Sequence, residues 1–145
     1  MKRSIFRYMV SLLVVFAFLL PGCGPPKTNT VKVSGKIMID GNPIEQGAIK
    51  FIAIDGATPV GGGTISNGTY FAEVPPGKKK VLVNGQKVVG KEPLYKDIPD
   101  SPTRDKLERT TPLVYNNQEA SPLTAEIQGE TKNLDFDLDS KIRSL

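Results

Sequence analysis

One cysteine and no imidazole set the chemistry open to this chain. Cys23 is the lone cysteine, and no histidine occurs among the 145 residues. The missing imidazole removes the commonest general base and the commonest metal ligand together. Ser-His and Cys-His nucleophilic arrangements are excluded, and so are His/Cys zinc sites. Carboxylate pairs and Ser-Lys pairs are what remain for catalysis. Glycoside chemistry needs two carboxyls facing each other at about 5–9.5 Å, and fifteen acidic residues do not single out one pair. No Ser-x-x-Lys stands on a predicted helix. One cysteine cannot close an internal disulfide. The residues therefore nominate no catalytic group and no cofactor.

Binding chemistry is better represented. Asp135, Asp137 and Asp139 alternate, which puts three carboxylates on one strand face roughly 6–7 Å apart. That is too wide for one calcium ion without a bend, so a solvent face opposite Leu134, Phe136 and Leu138 is expected and no metal site is assigned. Tyr70, Phe71, Tyr95 and Tyr115 could supply a sugar-stacking platform or ordinary core packing. Lys78, Lys79 and Lys80 could face an anionic surface or blunt a sheet edge. Tyr95, Tyr115 and the three lysines form the candidate binding surface. Gly61-Gly62-Gly63 has no following Gly-Lys-Ser/Thr, so it is expected as a glycine bulge in an edge strand and not as a phosphate loop.

The surroundings of Cys23 carry the most information. Lys2, Arg3 and Arg7 make a basic start, Tyr8 to Leu20 is an almost unbroken apolar run, and Leu20-Pro21-Gly22-Cys23 closes it. A basic region, a short apolar region and a small residue at the cut describe a secretory signal. The apolar run is shorter than the roughly 20 residues a spanning helix needs. The closing tetrapeptide resembles the lipobox of bacterial lipoproteins, with Pro21 standing where Ala or Ser is usual. That resemblance implies cleavage between Gly22 and Cys23, fatty acylation (palmitate among others) of Cys23, and anchoring to a bacterial envelope membrane. It implies residues 1–22 as signal peptide and 23–30 as a lipidated tether. Gly24 to Thr30 has the Gly/Pro/Lys/Thr/Asn composition of a linker and reaches roughly 25 Å when extended.

Residues 31–145 then make one domain by the usual size prior. Lys2, Arg3 and Arg7 leave with the signal, so sixteen Lys and Arg face fifteen Asp and Glu. The pI of about 9.2 thus carries no implication of nucleic-acid binding.

The elements that must position these groups read as short strands. Val31, Val33, Gly35, Ile37 and Ile39 alternate with Lys32, Ser34, Lys36 and Met38, the period of a half-buried strand. Asp40-Gly41-Asn42-Pro43 is a turn. Gly47–Ile54 predicts a second strand, covered on both faces near Ile52 and Ile54. Asn67-Gly68 predicts a type I′ hairpin turn before Thr69–Val74. Pro75-Pro76-Gly77 breaks the chain before Val81-Leu82-Val83. Residues 90–111, with Pro93, Pro99 and Pro102, read as a long loop holding at most one short helix capped by Asp100-Ser101-Pro102. Pro112–Tyr115 reads as a short edge piece. Leu123–Ile127 and Leu134–Leu138 read as the last strands, with a hairpin bend at Gln128-Gly129-Glu130. Strands at this spacing with Gly/Pro turns argue an all-β sandwich.

The series Val33-Ser34-Gly35-Lys36-Ile37, Asp40-Gly41-Asn42-Pro43-Ile44, Gly47-Ala48-Ile49-Lys50-Phe51, Gly63 to Tyr70 and Pro75-Pro76-Gly77 resembles the carboxypeptidase regulatory-like family. That resemblance implies a transthyretin-like (prealbumin-like) sandwich of about seven strands with no activity of its own. Lys79 stands where such domains often carry a tyrosine. The segments Pro112–Asn116, Ser121–Thr124 and Asn133–Leu138 resemble the tail of small bacterial envelope lipoproteins that pair a lipobox with one such sandwich. The expectation is a non-enzymatic, exported, membrane-anchored module with a structural or protein-binding role, presenting an edge strand or the 90–111 loop to a partner. A module binding carbohydrate or cell-wall polymer is the alternative, and a carboxylate or Ser-Lys hydrolase is a third reading.

Overall fold

The alternation in Val31–Ile39 does what period two requires: Val33 and Ile37 are buried while Lys32 and Lys36 face solvent. The computed structural model describes residues 29–142. The signal segment, Gly22, Cys23 and most of the tether lie outside the described residues.

The strands are β1 (Val31–Ile39), β2 (Asn42–Pro43), β3 (Gln46–Ala53), β4 (Gly61–Ser66), β5 (Thr69–Val74), β6 (Gly77–Pro93), β7 (Thr103–Arg109), β8 (Thr124–Ile127) and β9 (Phe136–Leu138). A 3-10 turn covers Leu113–Asn116, and the described residues hold no α-helix. The fold is all-β, with no helix among the described residues long and apolar enough to cross a membrane.

The strands form one sheet in the order β1-β5-β4-β3-β6-β7. β2 continues the β5 side of β1, β8 lies beside the start of β6, and β9 runs parallel to the end of β1. Every other pairing is antiparallel. The sheet curls into a half-barrel around one core. Phe51 of β3, Tyr70 of β5 and Phe136 of β9 meet with ring centroids 6.1–6.5 Å apart. Side chains from the middle and the rim of a flat sheet would not touch in this way. Ile37, Ile49, Val74, Val81 and Val83 fill the space around the rings.

Two turns carry the backbone that their residues favour. Asn67 and Gly68 have φ of 48° and 74°, as a type I′ turn needs. Asp40 and Gly41 reverse the chain with φ of 50° and 77°.

Several expectations are corrected. No bulge interrupts Gly61–Gly63, and β4 is not an edge: it lies between β3 and β5 in unbroken register. A Cβ on Gly63 would fall on the carbonyl oxygen of Phe71, so the run is set by close backbone approach. Ile54 faces solvent, so β3 is covered on one face there. Residues 90–111 hold no helix and are loop only at 94–102 and 110–111. β6 continues to Pro93, pairs with β7, and makes a two-stranded arm tipped by residues 94–102. Pro112–Tyr115 enters the 3-10 turn. Gln128–Glu130 is not a hairpin bend, because β8 pairs with β6 and β9 with β1. The chain crosses there from one side of the sheet to the other, with Thr131 bridging Val33 on the way.

Candidate functional site

β5 alternates strictly. Tyr70, Ala72 and Val74 point into the core, leaving Thr69, Phe71 and Glu73 outside. Phe71 is 77% exposed, the most open large apolar side chain described. Register sets Ser34 of β1 on one side of Phe71 and Thr64 of β4 on the other. One pleat away, Glu73 lies between Lys32 and Gly62. The missing side chain at Gly62 opens a hollow, and the crossing segment Glu130–Lys132 walls it from the far side. The resulting groove holds about 520 Å³ and is lined by Lys32, Ser34, Phe71, Glu73, Thr131 and Lys132 among others. It offers an exposed ring, two hydroxyls, two ammonium groups and two carboxylates, of which Lys132 and Glu130 pair with each other at 3.5 Å. Such a set can stack on the apolar face of a sugar ring and bond its hydroxyls.

The candidate surface named from sequence is not gathered. Lys79 is 1% exposed because it alternates in phase with Val81 and Val83. Its Nζ donates to Thr58 Oγ1 at 2.5 Å. Gly77–Lys80 is also no free edge, since β8 pairs along it. Lys78 is exposed and Lys80 half-buried. Tyr115 is buried in the 3-10 turn, where its hydroxyl accepts the Asp139 N–H at 2.9 Å. Tyr95 sits at the arm tip, the opposite end of β6 from the lysines. Of the four aromatic residues considered for stacking, Tyr70 and Tyr115 are core, and Phe71 and Tyr95 are exposed at separate places.

Two of the three alternating aspartates have backbone duties. Asp135 Oδ1 accepts the Lys36 N–H at 2.7 Å, and Asp139 Oδ1 accepts that of Lys141 at 2.7 Å. Asp137 is exposed between buried Phe136 and Leu138, as the solvent-face reading expects. No three His, Cys, Asp or Glu side chains cluster for a metal among the described residues.

Among the described residues two groups are shifted from their ordinary pKa, both near the closing segment. Bonds from Ser140 hold the Asp40 carboxyl below the usual carboxylate range, with Lys141 helping. Burial, with Asp135 near, pushes the Tyr70 phenol well above its ordinary value.

The groove was only partly legible in the sequence. Phe71 could be named as an aromatic candidate, though not as an exposed one, and its neighbours Lys32, Glu73, Thr131 and Lys132 come from register, which periodicity alone does not give.

No family model matches the chain, and no curated protein matches it. Among solved structures, a 9R-lipoxygenase from Cyanothece PCC8801 is similar at 11% identity with a TM-score of 0.38. The match covers 95% of this chain and 23% of that one. At that score the likeness carries no argument about function.

Proposed function

We propose that the chain is a non-enzymatic bacterial envelope lipoprotein, exported, acylated at Cys23 and carrying one transthyretin-like, carboxypeptidase regulatory-like domain that binds a protein partner. The observation behind the anchor is Leu20-Pro21-Gly22-Cys23 closing a basic-then-apolar leader. The sandwich reading is supported by β1, which changes partners midway from β5 to β2 and β9. Strands that pass between the layers of a sandwich behave so.

The binding role is supported by where the chain's two ends of interest fall. Val31 pairs with Val74 at one end of the sheet. Gln86 lies at the other end, level with Gln46 and Ser66, and the arm continues outward from there. A domain tethered through Val31 therefore carries its arm at the far end. Leu94, Tyr95 and Ile98 are exposed together at its tip, and a contiguous exposed apolar patch on a loop marks a recognition surface.

Metabolic labelling with a clickable palmitate analogue tests the anchor. The wild-type chain takes up label and Cys23→Ala does not; a processed wild-type chain without lipid overturns the reading.

A second reading, a carbohydrate or cell-wall polymer module, is favoured by the Phe71 groove. Retention of the full chain on purified peptidoglycan, lost in Phe71→Ala, would support it. Equal retention of both would set it aside.

A further inference from the structure

The free edge of β7 is written in charges that fit a second copy of itself. All seven residues of Thr103–Arg109 are exposed, and among the described residues β7 pairs with β6 alone. An isolated two-stranded ribbon is marginal in water, and its open edge presents unpaired backbone groups. On this ribbon Lys91 meets Asp105 at 2.9 Å and Lys87 meets Glu108 at 3.8 Å. Lys106 and Arg109 enter no ion pair among the described residues.

We infer that two copies of the chain associate by antiparallel pairing of β7 with β7, Leu107 lying on the two-fold axis. In that register Asp105 faces the partner's Arg109, and Glu108 faces the partner's Lys106. Symmetry makes both contacts twice. Each carboxylate then sits between a cation of its own β6 and one from the second copy, and the two idle cations are used. Cross-strand opposite charges stabilise a sheet and like charges destabilise it. Neighbouring registers fail on that rule. A slip of one residue one way sets Asp105 against Glu108 and Arg104 against Arg109; one residue the other way sets Lys106 against Arg109. A slip of two sets Lys106 against Lys106 or Glu108 against Glu108.

Apolar groups agree with the charges. Val88 lies directly opposite Leu107 on the arm, and both are exposed. Pairing makes a row of four across the joined arms: Val88, Leu107, the partner's Leu107 and the partner's Val88. Continuing the register carries the partner's tip along the chain after Thr111, where Leu113 is 70% exposed. The pairing uses no lipid, so it stands or falls separately from the anchor at Cys23.

Cysteine cross-linking of the full chain in its membranes tests this. Leu107, Asp105 and Thr103 are replaced by Cys one at a time, the membranes are oxidised, and linked peptides are mapped by mass spectrometry. The mapping separates these links from any made by Cys23. The 107–107 peptide is expected at least tenfold above 105–105 or 103–103, because only position 107 meets itself. Asp105→Arg in the Leu107→Cys chain should cut that yield about tenfold, and adding Arg109→Asp should restore it. Equal yields at the three positions, linkage of position 107 to a different protein, or indifference to the charge swap would overturn the inference. A chain that takes up no lipid label yet gives the 107–107 peptide would remove the anchor and keep the pairing.

Discussion

The Tyr70 hydroxyl donates to the carbonyl oxygen of Leu134 at 2.6 Å. This bond joins β5 to the segment that crosses the sheet before β9. Leu134 is held there three ways. Its N–H donates to Ser34 O at 3.1 Å, and Gly35 has no Cβ to push its carbonyl away. The tyrosine ring itself packs between Phe51 and Phe136.

Tyr70→Phe keeps the ring and deletes the donor. The Leu134 carbonyl then loses its phenolic partner, at a cost of roughly 1–3 kcal/mol. The urea midpoint should fall with the slope unchanged. An unmoved midpoint would mean that water satisfies the carbonyl equally well.

The two shifted groups make stability depend on pH from opposite sides. Folding raises the Tyr70 phenol above its ordinary 10.0. The folded state therefore holds that proton after the unfolded state has released it, and stability falls as pH rises past about 10. Folding lowers Asp40 below its ordinary 3.8. Its contribution is present above that value and is lost as pH falls through the lower folded one. Tyr70→Phe should flatten the alkaline loss and Asp40→Asn the acid loss in urea titrations at graded pH. The alkaline effect should be the larger, because Asp40 is solvent-exposed and its bonds are screened.

Legibility followed burial. Val31–Ile39, Gly47–Ala53 and Thr69–Val74 each bury one face, so period two showed in the residues. Asn67-Gly68 was readable because positive φ at two successive positions admits few residues. The arm was not readable for the opposite reason. Residues 87–91 and 103–109 bury neither face, so no apolar alternation exists to be seen, and the prolines read as loop punctuation. Lys79 misled because its type outvoted its phase: counting back by twos from Val83 and Val81 reaches it. At the site, Phe71 was visible as an aromatic residue, but its groove partners lie on three separate segments joined only by register.

Gly63→Ala should be among the most damaging single-atom additions available here. Its Cβ would land on backbone in the middle of the sheet, where nothing flexible can yield, and a loss above about 4 kcal/mol is expected. Gly129→Ala meets no atom within 4 Å and should stay within about 0.5 kcal/mol. Thermal melts of the two variants check the contrast; similar losses would contradict close approach as the reason for the run.

Lys79→Met should be neutral or stabilising. The ammonium is buried with the Thr58 hydroxyl as its side-chain partner and no carboxylate in reach among the described residues, so an apolar chain of similar length removes a desolvated group that lacks a countercharge. Thr58→Val works the other way: it strips the ammonium of that partner and should lose roughly 1–3 kcal/mol. Denaturant titration of both variants and their double mutant checks this. Additive effects would show that the two groups do not act together.

The separation of Val31 from the arm has a mechanical consequence. The arm's residues 86–93 extend about 25 Å beyond the body at roughly 3.3 Å per residue. A load applied at the tip and resisted at the start of β1 pulls along the strands. The ladder bonds run across that direction, so the β1–β5 pairing is sheared as a block and does not peel open one bond at a time. Tension between the N-terminal end of the domain and its arm would thus be borne in shear.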